Sequence, residues 1–522
     1  MTTTLYRRGR VRSPDDPFAT ALLVDGDTVA WVGSEGAADA MSAEVTVDLE
    51  DAWVAPAFVD AHVHATSTGL ALTGMDLTGA PSLAVALDRV AEAAKAARGG
   101  VLLGTGWDDT AWPEGRPPTA AELDRASYGG VVYLARADVH SAVASSALLA
   151  AAPEARGAAG FLGDGLVRQQ AHHLVRRAAY AAVSPAQRRA AQTATLDRAA
   201  ALGIACVHEC GGPDIGGEED FRALLALEHG VDVLGSWGEL AEQGGVERAR
   251  ELGAVGAGGD LFADGALGSH TACLSHVYQD EATSGHAYLS AEQVARHVAA
   301  CTAAGLQAGF HAIGDAALTA VLDGIAAAAA EVGLAAVRAA RHRIEHAELL
   351  TPEHVAAMAA HGVVASVQPA FDARWGGPDG MYVVRLGPER AATMNPYAAL
   401  ASAGVALALG SDAPVTPLDP WGTVRAAVQH RTPGFGLSAR AAFSAHTRGG
   451  WRAARVDGVG ELTPGAPATF AVWELPDELV VQLPDARVSA WSTDPRAGVA
   501  GLPDLTGPDP VCRSTVVRGM AL

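Results

Sequence analysis

Eight short apolar runs recur through the chain, and alanine-rich helical stretches separate most of them. They are "APAFVDAHVH" (55–64), "GIACVHE" (203–209), "GVDVLGSW" (230–237), "GGDLFADG" (258–265), "GLQAGFHAIGD" (305–315), "RHRIEHA" (341–347), "GVVASVQP" (362–369) and "GVALALGSD" (404–412). Segments between them, such as "SAEQVARHVAACTAA" and "TPEHVAAMAAH", read as helices with Ser and Thr caps. Strand-then-helix alternation is the pattern of a parallel sheet covered by helices. Eight such repeats predict a closed (β/α)8 barrel of the TIM type, which carries its chemistry at the C-terminal ends of the strands. Those ends hold His62, His64, His208, Glu209, Asp260, Asp264, His311, His346, Gln368 and Asp412. A random scatter of polar residues would not favour the same end of so many runs.

The termini have a different texture. "ALLVDGDTVAWVG" reads as a hairpin turning at Asp25-Gly26, and "GELTPGAPATFAVWE" and "CRSTVVRGMAL" are strand-like pieces broken by Pro and Gly. Residues 1–55 and 455–522 are therefore expected to combine into one small β-sandwich domain beside a barrel of residues 56–454. Residues 65–202 separate the first and second runs, far more than a barrel connection needs. That stretch, with "VLLGTGWDDTAWP", "VVYLARADVH" and an arginine-rich helical section, reads as a subdomain inserted over about 68–200, able to cover the barrel mouth.

Charge narrows the partners. The balance of 37 Lys+Arg against 59 Asp+Glu gives a net charge of −22, which repels phosphate backbones and anionic lipid. Nucleic acid and membrane are excluded as partners, a small molecule is expected, and a homodimer is among the allowed states. "MTTTLYRRGRVRSPDDPF" has no apolar core of signal-peptide length. Five scattered cysteines make no disulfide framework, so buried thiols in a reducing cytoplasm are expected.

Chemistry centres on His62 and His64. Trp53–Val59 reads as a buried strand leading into them, and side chains at i and i+2 of a strand share a face. Burying two imidazoles without a partner is costly. His311, His346 and Asp412 close the fifth, sixth and eighth runs. Four imidazoles and a carboxylate at one barrel mouth form an N/O ligand set suited to Zn²⁺ and tolerated by Fe²⁺, Mn²⁺ or Co²⁺. A metal there lowers the pKa of bound water, and Asp412 can take its proton and pass it to the leaving group. His297 and His354, in helical segments, are expected at the surface, and His208 and Glu209 as polar support.

In combination, "APAFVDAHVH", "GTGWDDTAWPEGRPPTAAELD", "ARADVHSAVASSALL", "LFADGALGSHTACL", "GLQAGFHAIGDAAL", "RHRIEHAELL", "VVASVQPAF", "GVALALGSDAPVTPLDPW" and "LTPGAPATFAVWE" resemble the amidohydrolase superfamily of metal-dependent hydrolases. The branch they resemble most is that of the N-substituted formamide deformylases (amidohydrolase family 3). The resemblance implies metal ligation by His62, His64, His311 and His346, with Asp412 as ligand and base. His346 and Asp412 are the residues it makes catalytic. It also implies substrate contacts from Trp107, Asp108 and His140 of the insertion, and Gln368 at the seventh strand end is a further candidate.

The chain departs from that pattern at three places. Relatives commonly carry a lysine four residues before the Asp-Gly of the fourth strand, carbamylated in many of them to bridge two metals. Here Asp260 stands there, and the one lysine of the chain is Lys95 in "RVAEAAKAARGG", so a carbamylated lysine is excluded. Asp260 is shorter by several bonds; it can ligate one metal, act through water, or leave a second site empty. One tightly held divalent metal, zinc first, is expected. Ala316 and His270 stand where relatives often have Arg, which alters what binds at the mouth.

These readings point to metal-dependent hydrolysis of a C–N bond in an amide, N-acyl compound, formamide or cyclic amide. Deamination of a heterocycle uses the same water and base. A catalytically silent metal-binding or ligand-binding barrel is the alternative from another class, and the intact His62, His64, His311, His346 and Asp412 set argues against it.

Overall fold

Parallel pairing links all eight runs. The computed structural model describes residues 2–97, 99–109, 112–136, 141–213, 215–482, 491–492 and 501–522. In it β1 (Phe58–Val63), β2 (Ile204–Gly211), β3 (Asp232–Trp237), β4 (Gly256–Ala257), β5 (Gln307–Ala312), β6 (Arg343–His346), β7 (Val364–Val367) and β8 (Ala406–Leu409) lie side by side in chain order. A parallel bridge from Val63 to Ala413 ties the end of β8 back to β1 and closes the (β/α)8 barrel. Every residue of β1, β2, β5, β6 and β7 is buried, as expected for parallel strands covered on both faces.

The helices start and stop where local chemistry dictates. Ser290 and Gln293 form a capping box on the helix Ala291–Ala304, and Gly305 ends it at φ +71°. Thr351 caps Pro352–His361, whose proline occupies a position where no amide donor is needed.

Three expectations are corrected. Trp53–Val59 is two strands: Trp53–Pro56 pairs with Phe470–Glu474 of the terminal domain, and β1 starts at Phe58. The fourth run, 258–265, is not itself the strand: β4 lies just before it and ends at Ala257. Gly259 there adopts φ +80°, and a Cβ on Gly258 would lie 2.1 Å from the Gly309 amide nitrogen. The chain resumes pairing only at Phe262, bridged to His311. His297 and His354 are not surface residues; they are 1% and 7% exposed. His297 Nδ1 accepts from the Ala241 amide and its Nε2 faces the Ala257 carbonyl, both at 3.0 Å. His354 meets Thr351 N and Thr319 Oγ1. Both rings lie on the buried faces of their helices, where their polar edges find partners.

Both termini build the small β domain. One sheet holds Thr3–Arg7, Ala21–Asp25, Thr28–Gly33 and Val45–Asp48, and the other joins Arg10–Val11 and Trp53–Pro56 to Phe470–Glu474, Val511–Val517 and Met520–Ala521. Tyr6, Leu22, Val24, Val54, Phe470 and Val516 share the core between them. Aromatic contacts of Trp473 with Phe58 and Trp421 of the barrel, at 5.8 and 5.5 Å, join this domain to it.

Residues Ala65–Thr195 with Pro213–Leu227 form a second compact unit. Its sheet runs Leu166–Arg168, Ser141–Ala144, Val132–Arg136, Leu102–Trp107, Met75–Asp76. Among the described residues, no helix is long and apolar enough to cross a membrane.

Candidate metal centre

β1 and β8 meet where the histidines emerge. The Asp60 carboxylate accepts from the Ser411 amide at 2.9 Å, the His62 carbonyl from the Asp412 amide at 2.8 Å, and the Ala413 carbonyl from the His64 amide at 3.0 Å. A Cβ on Gly410 would stand 2.7 Å from the His62 nitrogen, so this approach requires glycine. Asp412 is held at φ +54° and His346 at φ +70°. Such angles are uncommon for non-glycine residues, though Asp and His adopt them more readily than most. For His346 the turn brings its ring to the mouth although the neighbouring Glu345 points into the barrel.

Four side chains then converge. His62 Nε2 lies 3.5 Å from Asp260 Oδ1 and 3.5 Å from Asp412 Oδ1. His64 Nε2 lies 3.2 Å from Asp260 Oδ2 and 3.3 Å from Asp412 Oδ1. Donors held about 2.1 Å from a tetrahedral cation stand about 3.4 Å apart, so the spacing fits. His62 Nε2, Asp260 Oδ1 and Asp412 Oδ1 are buried and have no hydrogen-bond partner among the described residues. A set of imidazole nitrogens and carboxylate oxygens left in that state suits a divalent cation, which takes the place of the imidazole protons.

Electrostatics agree. Burial pushes His62 and His64 down, but the carboxylates of Asp260 and Asp412, with Cys210 beside His62, outweigh it and hold both imidazoles well above the usual histidine value. Burial would raise Asp260, yet the His62 charge and the surrounding imidazoles hold its carboxyl well below the usual range. The centre favours positive charge.

Asp260 reaches farther than its length suggests, because the chain leaves β4 early and turns inward at Gly258-Gly259. Its Oδ1 also lies 3.7 Å from His346 Nε2. His311 is less engaged. Its ring lies 4.5 Å from that of His346 and its Nδ1 is 3.5 Å from Asp264 Oδ1, and it belongs to none of the converging donor groups. Gln368, expected at the substrate, accepts at Oε1 from His346 Nδ1 at 2.8 Å and so leaves Nε2 of that ring as the donor atom.

Beneath these ligands runs a charged layer that the sequence reading missed. His62 Nδ1 donates to Glu345 Oε2 at 3.0 Å. Arg343 donates to Glu345 at 2.8 and 2.9 Å, to Ser366 Oγ at 3.0 Å, to the Ala61 carbonyl at 2.8 Å and to His208 Nδ1 at 3.0 Å. Burial would raise Glu345, but Arg343 and His62 bring it down to about 2. Burial and the adjacent guanidinium lower His208 to about 3, so its ring is neutral. Arg343 and Glu345 at i and i+2 of a buried run were the available signal, since paired charges on one strand face imply a satisfied ion pair.

Other expected residues have structural settings. Asp264 is fully buried and accepts from the amides of Cys273, Ile313 and Gly314. Within the inserted unit, Trp107 is buried and donates to the Leu134 carbonyl at 2.8 Å, while Asp108 pairs with Arg136 at 2.8 Å. His140 lies outside the described residues.

Residues 45–521 match the amidohydrolase family. The chain belongs to the amidohydrolase family. Curated relatives by sequence include "Protein LONG AFTER FAR-RED 3" of Arabidopsis thaliana, 29% identical over 90% of this chain and 86% of that protein. YtcJ of Bacillus subtilis (strain 168) is 29% identical over 74% and 75% of the two chains. Among solved structures, an uncharacterized metal-dependent hydrolase from Pyrococcus furiosus superposes with a TM-score of 0.75 at 26% identity, covering 90% of this chain and 98% of that one. In this amidohydrolase, as family membership leads one to expect, the strand ends carry a donor set fit for a divalent cation.

Proposed function

We propose that the chain is a zinc-dependent hydrolase that cleaves the C–N bond of a small amide, N-acyl compound, formamide or cyclic amide. One observation carries this reading: the Nε2 atoms of His62 and His64 each lie 3.2–3.5 Å from a carboxylate oxygen of Asp260 and of Asp412, the separation of donors around a small cation. These four would hold the cation, with His346 beside them and His311 next to His346. When bound, such a cation supplies Lewis acidity, lowering the pKa of water towards neutrality and polarising a carbonyl.

The chain's own groups do the rest. Glu345 fixes the proton of His62 on Nδ1, and Gln368 does the same for His346. Asp412 uses one oxygen towards the histidines; its carboxylate accepts the proton of the attacking water as the C–O bond forms. It then returns that proton to the departing nitrogen as the C–N bond breaks, giving a carboxylic acid and an amine or ammonia. The five cysteines are free thiols in this structure, which supports a cytoplasmic location.

A panel of formamides, longer N-acyl compounds and lactams tests the reading. Turnover of at least one class is expected, lost on dialysis against a chelator and restored by Zn²⁺. Undiminished turnover by metal-stripped protein, or ring deamination with no amide cleavage, would contradict it.

A further inference from the structure

Phe262 is 39% exposed although it stands against a buried histidine. Its ring lies 4.9 Å from that of His311, and the two residues form a parallel bridge in which His311 N donates to the Leu261 carbonyl and Ala263 N to the His311 carbonyl. Bridge partners face the same side of a sheet. Asp260, two residues earlier, places its carboxylate among His62, His64 and His346. The Phe262 ring thus packs on His311, whose ring lies 4.5 Å from that of His346, one ring removed from the candidate ligands. A large apolar side chain left half open at such a point is surface that a ligand can cover.

Barrel topology says which part of the ligand. Strands four apart in a closed eight-stranded barrel stand opposite each other, so the segment after β4 that bears Phe262 lies across from the segment after β8 that bears Asp412. A leaving nitrogen protonated by Asp412 is on the β8 side, and the substituent on the other end of the scissile carbonyl extends towards β4.

From this we propose that Phe262 forms the floor of an acyl subsite and that the substrates are N-acyl compounds with an apolar acyl chain or ring, larger than formyl. The inference rests on the role given to Asp412 under the proposed function, for the direction of the substrate alone.

Binding of sodium alkanoates, acetate through hexanoate, to the zinc-loaded protein tests this without turnover. Each methylene that reaches an apolar wall contributes up to about a four-fold gain in affinity. Wild-type protein is expected to show a rising series, Phe262→Ala a flattened one, and Phe262→Leu an intermediate slope, with zinc content and acetate affinity held in all three. A flat wild-type series, or equal slopes in wild type and Phe262→Ala, would overturn the subsite. A slope that appears with alkylammonium ions and not with alkanoates would overturn the acyl assignment. If no amide is hydrolysed but the alkanoate slope depends on Phe262, the proposed reaction fails and the subsite stands.

Discussion

Replacing Asp412 with asparagine lowers turnover by about two to four orders of magnitude, the scale of a lost proton-transfer group. Asparagine keeps the volume and the backbone amide that donates to the His62 carbonyl at 2.8 Å, so the barrel closure survives. It also keeps one oxygen near His62 and His64, which preserves part of the donor set, but its amide cannot accept and return a proton. Steady-state kinetics on protein of verified zinc content separates the two roles. Retained zinc with collapsed kcat supports proton transfer; near-normal kcat would remove Asp412 from the mechanism.

The second large effect is on stability. Glu345→Ala strips the buried Arg343 guanidinium of its counter-ion and His62 Nδ1 of its acceptor. Breaking a buried pair from one side costs about 3–5 kcal/mol, because the remaining charge cannot be rehydrated. Urea denaturation of metal-free protein should show a loss of that size. The double variant Arg343→Met/Glu345→Leu should recover much of it, since neither charge is then buried, while zinc affinity stays weakened because His62 has lost the group that orients it. A Glu345→Ala loss below about 1 kcal/mol would mean that the layer under the ligands is not held by this pair.

Much of this arrangement was legible in the sequence, for a physical reason. A parallel barrel buries both faces of each strand and keeps polar groups for the strand ends, so His62, His64, His346 and Asp412 stood out against apolar runs. What could not be read depends on backbone path. Asp260 reaches His62, His64 and His346 because β4 stops at Ala257, which strand-like spacing did not reveal. Gln368 was visible as a polar strand end, but its hydrogen bond to His346 Nδ1 joins residues 22 apart on neighbouring strands and could not be read from spacing. His297 and His354 read as surface residues because helical spacing gives a face but not what covers it; the helix face they occupy is buried. Trp53–Val59 looked continuous because both halves are buried, although they serve different sheets.

Metal content of the dialysed protein tests the central claim most directly. His62, His64 and Asp412 form one candidate donor group and His62, Asp260 and His346 another, and because both draw on His62 they overlap in one site. Elemental analysis is expected to find about one tightly retained equivalent per chain, zinc, consistent with a four-donor tetrahedral set, and to find it lost in His62→Ala/His64→Ala protein that still folds. Two tightly retained equivalents would show that Asp260 bridges as a longer side chain would, and no retained metal in freshly purified protein that binds none on adding zinc would contradict the account.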